Sequence, residues 1–502
     1  MIKTDVIIIG GGATGCGIAR DLALRGIAHH LIEKGDFAAG ATGACHGLLH
    51  SGGRYAVSDP EAAEECIREN MILRKIGEKC VEQTGGLFVR LAGDSRRYRD
   101  KFLESCDRVG IDTELLSGAR ALDLVPKLNP SLEEAVRVPD CSIDPFRLCM
   151  LNAITSKNRG GVFHRHHEVF EFIKEKGRLA GVRARDRFTG EIKDLRARVI
   201  INASGAWGKK IANLAGHDLP MNLSKGSLVI TNHRLTNMVI NRLRPPSNGD
   251  IIVPNEAVCL AGTTSISVDS PDNLVVGADE VDIVTREAGR MIPEFNSTRL
   301  IRAYTGVRPL LLAEKDATDD RSVSRGFRII NHQDGMYSIL GGKLSTYRLM
   351  AEKMVDTVLK EVFDKTVACQ TGDLPLEGQE FLSGYPLSTR LKDMKDIICE
   401  CELVTRKDVE SVIDRIGTKS IGDIQHRTRL GMGPCQGGFC TYRALGIIQE
   451  KGKITCDESM GALREFLQKR FRGIRPALWG DQLREEQLVE GIYLNIMNME
   501  QQ

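Results

Sequence analysis

Asp5-Val6-Ile7-Ile8-Ile9-Gly10-Gly11-Gly12-Ala13-Thr14-Gly15 sets an apolar run directly against a G-x-G-x-x-G, and a helical pattern follows at once. The passage predicts a strand, a tight turn and a helix over roughly 13–25, with Gly26 as the helix-ending residue and 28–33 as a second strand. In that setting each glycine has its own role. Gly10 makes the turn, Gly12 lets backbone approach a pyrophosphate, and Gly15 lets helix and strand pack closely while the helix N-terminus faces phosphate charge. Glu33, 18 positions past Gly15, ends the second strand where a carboxylate can accept from ribose hydroxyls. A bound dinucleotide is expected, and the motif alone leaves FAD and NAD both open.

Three further stretches tilt the choice toward FAD. Gly40 to Tyr55 is a run of small residues, as expected where backbone crosses a flat ring system, and it contributes Thr42 and Ser51 as candidate cofactor contacts. Asn202-Ala203-Ser204-Gly205-Ala206-Trp207 follows the apolar run Val199 to Ile201 and brings Ala203 and Gly205 near the nucleotide. Gly341-Gly342-Lys343-Leu344-Ser345-Thr346 opens a helix whose amides, with Gly342 and Ser345, can meet the oxygen side of a flavin ring. Cys45, inside the first of these runs, is a candidate flavin neighbour.

The rest of the chain organises around these segments. A helix is expected over about 61–84 and another over 145–157, strands over 162–190 and 197–203, and a mostly strand-like region over 225–340. The fold class is therefore α/β: a Rossmann-like FAD-binding domain over 1–364, built from segments near 1–80, 150–215 and 337–362, with an interleaved mixed-sheet substrate domain between them. A polar stretch at 365–395 reads as a linker, 396–450 as a small cysteine-ligated module, and 451–502 as a charged tail.

Composition excludes several classes. The 502 residues are 42% hydrophobic, enough for large cores, and 69 basic against 67 acidic residues leave a formal charge of +2 with no long run of either sign, so no nucleic-acid partner is expected. Aliphatic stretches reach four or five residues, far short of a spanning helix, and the start lacks a secretory layout, so a cytoplasmic location is expected. Fourteen cysteines in such a chain read as thiols and ligands, not disulfides.

Four of them are arranged to hold metal. Cys399-Glu-Cys401 is followed, after 33 residues, by Cys435-Gln-Gly-Gly-Phe-Cys440. Four sulfurs suit zinc or an iron-sulfur cluster; the C-x-C pair argues mildly against a zinc knuckle, and the glycines around Cys435 supply amides able to donate to cluster sulfurs.

Taken in order, Gly10 to Gly15, His46-Gly-Leu-Leu-His-Ser-Gly-Gly-Arg-Tyr55, Thr305-Gly-Val-Arg-Pro309 and Gly341-Gly-Lys-Leu-Ser-Thr-Tyr-Arg348 resemble the FAD-dependent glycerol-3-phosphate dehydrogenases, within the D-amino-acid-oxidase-like flavoproteins. The context Thr428-Arg-Leu-Gly-Met-Gly-Pro-Cys435 resembles the bacterioferritin-associated-ferredoxin-like [2Fe-2S] domain. With that module the resemblance sharpens to the catalytic subunits of the anaerobic branch of the family, and Pro476-Ala-Leu-Trp-Gly-Asp481 extends it into the tail. Only the linker before Cys399 is shorter than in longer members.

The resemblance implies oxidation of sn-glycerol 3-phosphate to dihydroxyacetone phosphate, with Arg54, Arg308 and Lys343 on the substrate phosphate. It also implies electron transfer through the cluster to a second flavin-containing subunit, an iron-sulfur membrane anchor and quinone, and so a peripheral place at the inner face of the membrane. His50 and His233 are the candidate bases for the C2 hydroxyl, with water as a third option. An amine or amino-acid oxidase, or a non-catalytic electron-transfer subunit, are the rival readings on the same scaffold.

Overall fold

The computed structural model describes residues 2–311, 326–379, 395–416, 418 and 420–496. Val6–Ile9, all four residues buried, forms a central strand of a six-stranded sheet ordered Val162–His164, His29–Ile32, Val6–Ile9, Val199–Asn202, Met336–Gly341, Phe327–Asn331. The first five strands are parallel and the last is antiparallel. The Val/Ile runs of the two central strands, Val6–Ile9 and Val199–Asn202, are what burial on both faces requires. On one face the helices Ala13–Leu24, Pro145–Lys157 and Tyr347–Val362 pack through Ile18, Leu22, Leu148, Met354 and Val358. On the other face a four-stranded sheet (Ile2–Lys3, Ile192–Arg196, Arg178–Asp186, His167–Glu175) meets it through Val169, Phe172, Val182 and Leu195.

Register decides where the site falls. Ile9 pairs with both Ile32 and Asn202, and Asn202 pairs with Ser338, so the strand ends at Gly10, Glu33 and Ala203 emerge along one edge of the sheet. Gly10 N donates to Ile32 O at 2.8 Å and Ala203 N to Ile9 O at 2.9 Å, fastening these exits together. Ligands of open α/β sheets bind at this carboxyl edge.

A nine-stranded mixed sheet makes the second layer, centred on the long ladder between Met221–Thr231 and Leu300–Leu311. Its core joins Leu87, Val229, Ile240 and Ile252 to Val284, Ala288 and Met291 of the helix Ala278–Met291. The strand-rich reading of 225–340 misses that helix, whose start is marked by Gly277 N donating to the Glu280 carboxylate at 2.9 Å. The helix expected to reach residue 84 ends at Ile76, capped by Gly77.

The expected linker differs from a solvated spacer wherever it is described. Arg20, fully buried, donates to Thr371 O at 3.0 Å and Leu374 O at 2.6 Å, and Leu376 N donates to Ile76 O at 2.9 Å, so 365–379 is strapped onto the nucleotide domain. The rest of that stretch, 380–394, lies outside the described residues. The tail also differs from an appendage. Leu463, Phe466, Leu467 and Phe471 of the helix Cys456–Ile474, with Tyr493, complete the same core as Cys399, Ile424 and Cys440. Most charged residues of the tail lie on the outer faces of amphipathic helices, but Arg470 and Glu486 are buried and pair at 2.6 Å.

Candidate functional site

A cavity of about 1100 Å³ runs along the carboxyl edge of the six-stranded sheet and out beneath the nine-stranded one. One end is lined by Gly10, Gly12, Glu33, Thr42, Ala203 and Gly205, and the other by His46, His50, Arg54, Tyr55, Arg308 and Lys343. It exceeds the volume of an ordinary small-molecule site, as an extended dinucleotide plus a substrate requires.

The nucleotide end is built by close approach. Gly10 has φ +114, and a Cβ there would lie 2.5 Å from Ala203 O; a Cβ on Gly15 would lie 1.9 Å from Gly10 O. Only glycine lets the helix sit this close to the turn. The Glu33 carboxylate accepts from Gly11 N at 2.6 Å and from Gly35 N at 2.7 Å, while burial pushes its carboxyl up from the ordinary value. Thr42 Oγ1 accepts from Ala13 N at 3.1 Å, holding the small-residue run over the helix start. Gly342, at φ +80, abuts Met350 and brings the second loop into the cavity wall.

Three of the expected cofactor residues stand behind the wall instead of in it. Gly15 packs on Gly10, the Ser51 amide donates to Asp140 at 2.7 Å in a fully buried setting, and buried Ser345 faces the Cys66 thiol at 3.7 Å. None of the three lines the cavity.

At the far end, positive charge gathers on two imidazoles. Arg54 Nη2 lies 3.0 Å from Asp250 Oδ1; Arg308 donates to Thr264 O at 3.1 Å, to Ser224 Oγ at 3.4 Å and to the Thr263 hydroxyl; Lys343 Nζ sits 5.3 Å from the centre of the Tyr55 ring. Burial, then the charges of Arg54 and Arg308, press the His46 imidazole down to about 3. Burial, His46, Arg54 and Lys343 hold His50 well below the usual imidazole range. Both rings are neutral at pH 7, the state a proton acceptor needs.

His233 is elsewhere. Its side chain is 44% exposed, its Nδ1 is 2.7 Å from Asn232 Oδ1 and its Nε2 is 3.3 Å from Glu294 Oε1, and it is absent from the cavity lining. The imidazole beside His50 is His46, which the sequence reading passed over although it opens the quoted motif. Tyr55, which closes that motif, was also missed, as were Asp250 and Thr263, which no local pattern marks. Cys45 does line the cavity, its thiol pushed up to about 11 by burial.

The four cysteines meet as two pairs. The thiol of Cys399 is hydrogen-bonded to that of Cys440, which presses Cys399 down to about 7 and Cys440 up, and the thiol of Cys401 pairs with that of Cys435. Among the described residues no three of these sulfurs lie within 4.8 Å of one another. A single tetrahedral zinc would draw all four to roughly 3.8 Å, given its bond length, whereas a two-iron cluster takes one pair on each iron. Positive φ at Gly431, Gln436 and Gly437 turns the loop around them.

The module is docked on the nucleotide domain through buried charge. Arg427 grips Asp36 with bonds of 2.5 and 2.6 Å, Arg165 bridges Asp36 and Asp423 at 3.2 and 2.7 Å, and the His426 and Phe146 rings stack with centroids 4.3 Å apart. Against the cost of burial, Arg427 and His426 hold the Asp36 carboxyl well below the usual range.

Comparison with known proteins agrees with this anatomy. The model of the FAD dependent oxidoreductase family matches residues 5–348, and that of the BFD-like [2Fe-2S] binding domain matches 397–450. The A subunit of the anaerobic glycerol-3-phosphate dehydrogenase of Escherichia coli (strain K12) is 42% identical over all of this chain and 98% of its own length. The A1 subunit of the Haloferax volcanii enzyme of the same name is 38% identical over 99% of this chain and 91% of its own. The fold is shared with the glycerol-3-phosphate dehydrogenase from Bacillus halodurans complexed with FAD, at a TM-score of 0.67 and 21% identity over 95% of this chain and 96% of that one.

Proposed function

Because the chain belongs to the FAD dependent oxidoreductase family and, within it, to the A subunits of the anaerobic glycerol-3-phosphate dehydrogenases, we propose that it oxidises sn-glycerol 3-phosphate to dihydroxyacetone phosphate at the cationic end of the cavity. The observation that carries this reading is the convergence of Arg54, Arg308 and Lys343 on the His46 and His50 pair. A carboxylate substrate needs one such cation; with the Arg54 charge matched by Asp250, the remaining two positive charges match a phosphate dianion.

FAD held here would supply a hydride acceptor for C2, and a [2Fe-2S] cluster held by the cysteine module would supply one-electron transfer onward. The residues for FAD are Gly10, Gly12, Glu33, Thr42, Ala203, Gly205 and Gly342, and those for the cluster are Cys399, Cys401, Cys435 and Cys440. The chain itself contributes binding, orientation and proton transfer. Arg308, aligned by Ser224 and Thr264, and Lys343 take phosphate oxygens, while Arg54, steadied by Asp250, flanks them. The incoming dianion offsets the positive field on the imidazoles and raises their basicity. The ring that meets the C2 hydroxyl then takes its proton as the hydride leaves.

The relatives are each named as one lettered subunit, which supports further subunits: a second flavin-containing one and an iron-sulfur membrane anchor leading to quinone. Among the described residues no helix is long and apolar enough to cross a membrane, which suits attachment through such partners. The test is the anaerobic absorbance spectrum of the purified chain: glycerol 3-phosphate should bleach the flavin band and amino acids should not. Bleaching by amino acids alone would overturn the assignment.

A further inference from the structure

The wall of the cavity around Glu33 is not made by the nucleotide domain alone. Ser420, Gly422, Asp423 and His426, from the helix Ile421–Thr428 and its cap, line it together with Glu33, Gly35, Asp36 and His166. The cysteine module thus forms one side of the compartment that the strand-end carboxylate assigns to adenosine.

The contact that holds this helix there is strongly built. Asp36 is 5% exposed, Asp423 2% and Arg427 4%. Beyond the bonds already described, Arg427 Nη1 donates to Asp423 O at 2.6 Å, His426 Nδ1 lies 3.2 Å from Asp36 Oδ2, His166 Nε2 lies 3.2 Å from Asp423 Oδ2, and Thr418 donates to the same oxygen at 2.7 Å. A second tie runs from Arg429, which is 2.9 Å from Glu402 and 3.6 Å from Asp144, the residue capping the helix Pro145–Lys157. Glu402 adjoins Cys401, so one guanidinium joins the cysteine loop to the nucleotide domain.

Asp36, His166 and Asp423 are close enough together to suggest a cation site. Arg165 and Arg427 already satisfy those carboxylates, and a metal there would face two guanidiniums. The arrangement is a latch made of ion pairs. Losing one partner of such a buried pair strands the other charge, so the docked arrangement depends on each partner being present.

We propose that the cysteine module has a second role, in which its helix Ile421–Thr428 closes the adenosine end of the nucleotide cavity and is latched there by Arg427 on Asp36, so that FAD is held only as firmly as the module is docked. The proposal rests on the reading of this cavity as the FAD site. By linkage it is reciprocal, with bound FAD strengthening the docking of the module.

The test uses the full chain, purified anaerobically with both cofactors, and reads the appearance of free FAD fluorescence after rapid dilution alongside iron per chain. Arg427→Ala should release FAD about tenfold faster or more, since it leaves Asp36 buried without its main partner, and Arg427→Lys should restore part of the loss. His426→Ala removes the ring stacked on Phe146 and one contact to Asp36, which keeps Arg427 and Arg165, and should speed release by a smaller factor. Release at the parent rate in both alanine variants overturns the proposal. If Arg427→Ala also sheds iron, His426→Ala decides: with iron retained, unchanged release overturns the latch and faster release supports it. Parent protein that keeps FAD tightly yet is not bleached by glycerol 3-phosphate would instead overturn the proposed reaction and leave the latch standing.

Discussion

The rings of His46 and His50 meet edge to face with centroids 5.8 Å apart, and Tyr55 stands against His50 at 5.6 Å. Two neutral imidazoles beside three cations form a site primed for an anion and a proton. His50→Asn should slow flavin reduction at saturating glycerol 3-phosphate by about a hundredfold, the usual worth of a positioned base. His46→Asn separates the two rings. If both variants change only KM, measured by rapid mixing, the imidazoles bind substrate and water is the base.

Arg308 is the cation most firmly aimed, through Ser224 and Thr264. Charge-assisted bonds contribute roughly 1.5 to 3 kcal/mol each, so Arg308→Ala should lower the efficiency of flavin reduction by about ten- to a hundredfold. Plain glycerol should be a poor substrate for the parent and less affected by the change. Equal losses for both substrates would indicate misfolding.

Two sulfur pairs call for two irons. Anaerobic protein should carry close to two irons and two sulfides per FAD, roughly the content of one such cluster. Cys435→Ser should lose iron while flavin can still be bound and bleached by glycerol 3-phosphate at close to the parent rate. Stoichiometric zinc in place of iron would refute the cluster, and unimpaired quinone reduction by a reconstituted complex of the variant would refute its relay role.

Buried histidine gives the protein an acid limb. His29 Nδ1 lies 2.8 Å from Ile27 O and its Nε2 2.7 Å from Ser156 Oγ, and burial lowers the imidazole to about 4. The unfolded chain binds this proton near 6.5. Stability from His29 is therefore complete above about pH 6.5, falls as pH drops, and is gone below about 4, a loss of up to about 3 kcal/mol. Melting temperature between pH 7.5 and 4 should show a slope to which His46 and His50 also contribute, and His29→Gln should reduce it by the share of His29.

What the sequence made legible was local. The strand, turn and helix at the start lie within a short span and fall where the glycine pattern puts them, and the helix Pro145–Lys157 falls where it is expected. Membership of the cavity depends on which way a side chain leaves its backbone, which spacing within a loop does not encode. Ser51 and Ser345 point into the core, and His46 points where His233 was expected. The latch is harder still to read, since Asp36 and Arg427 are 391 positions apart and each alone resembles a surface charge.

One contact also bears on the order of assembly. The Tyr493 hydroxyl donates to Gly438 O at 2.8 Å across 55 positions, sealing the cysteine loop with a residue made well after it. On a growing chain the four thiols leave the ribosome before their cover exists. Cluster insertion therefore has an open interval during synthesis, and it closes when the last described helix folds back.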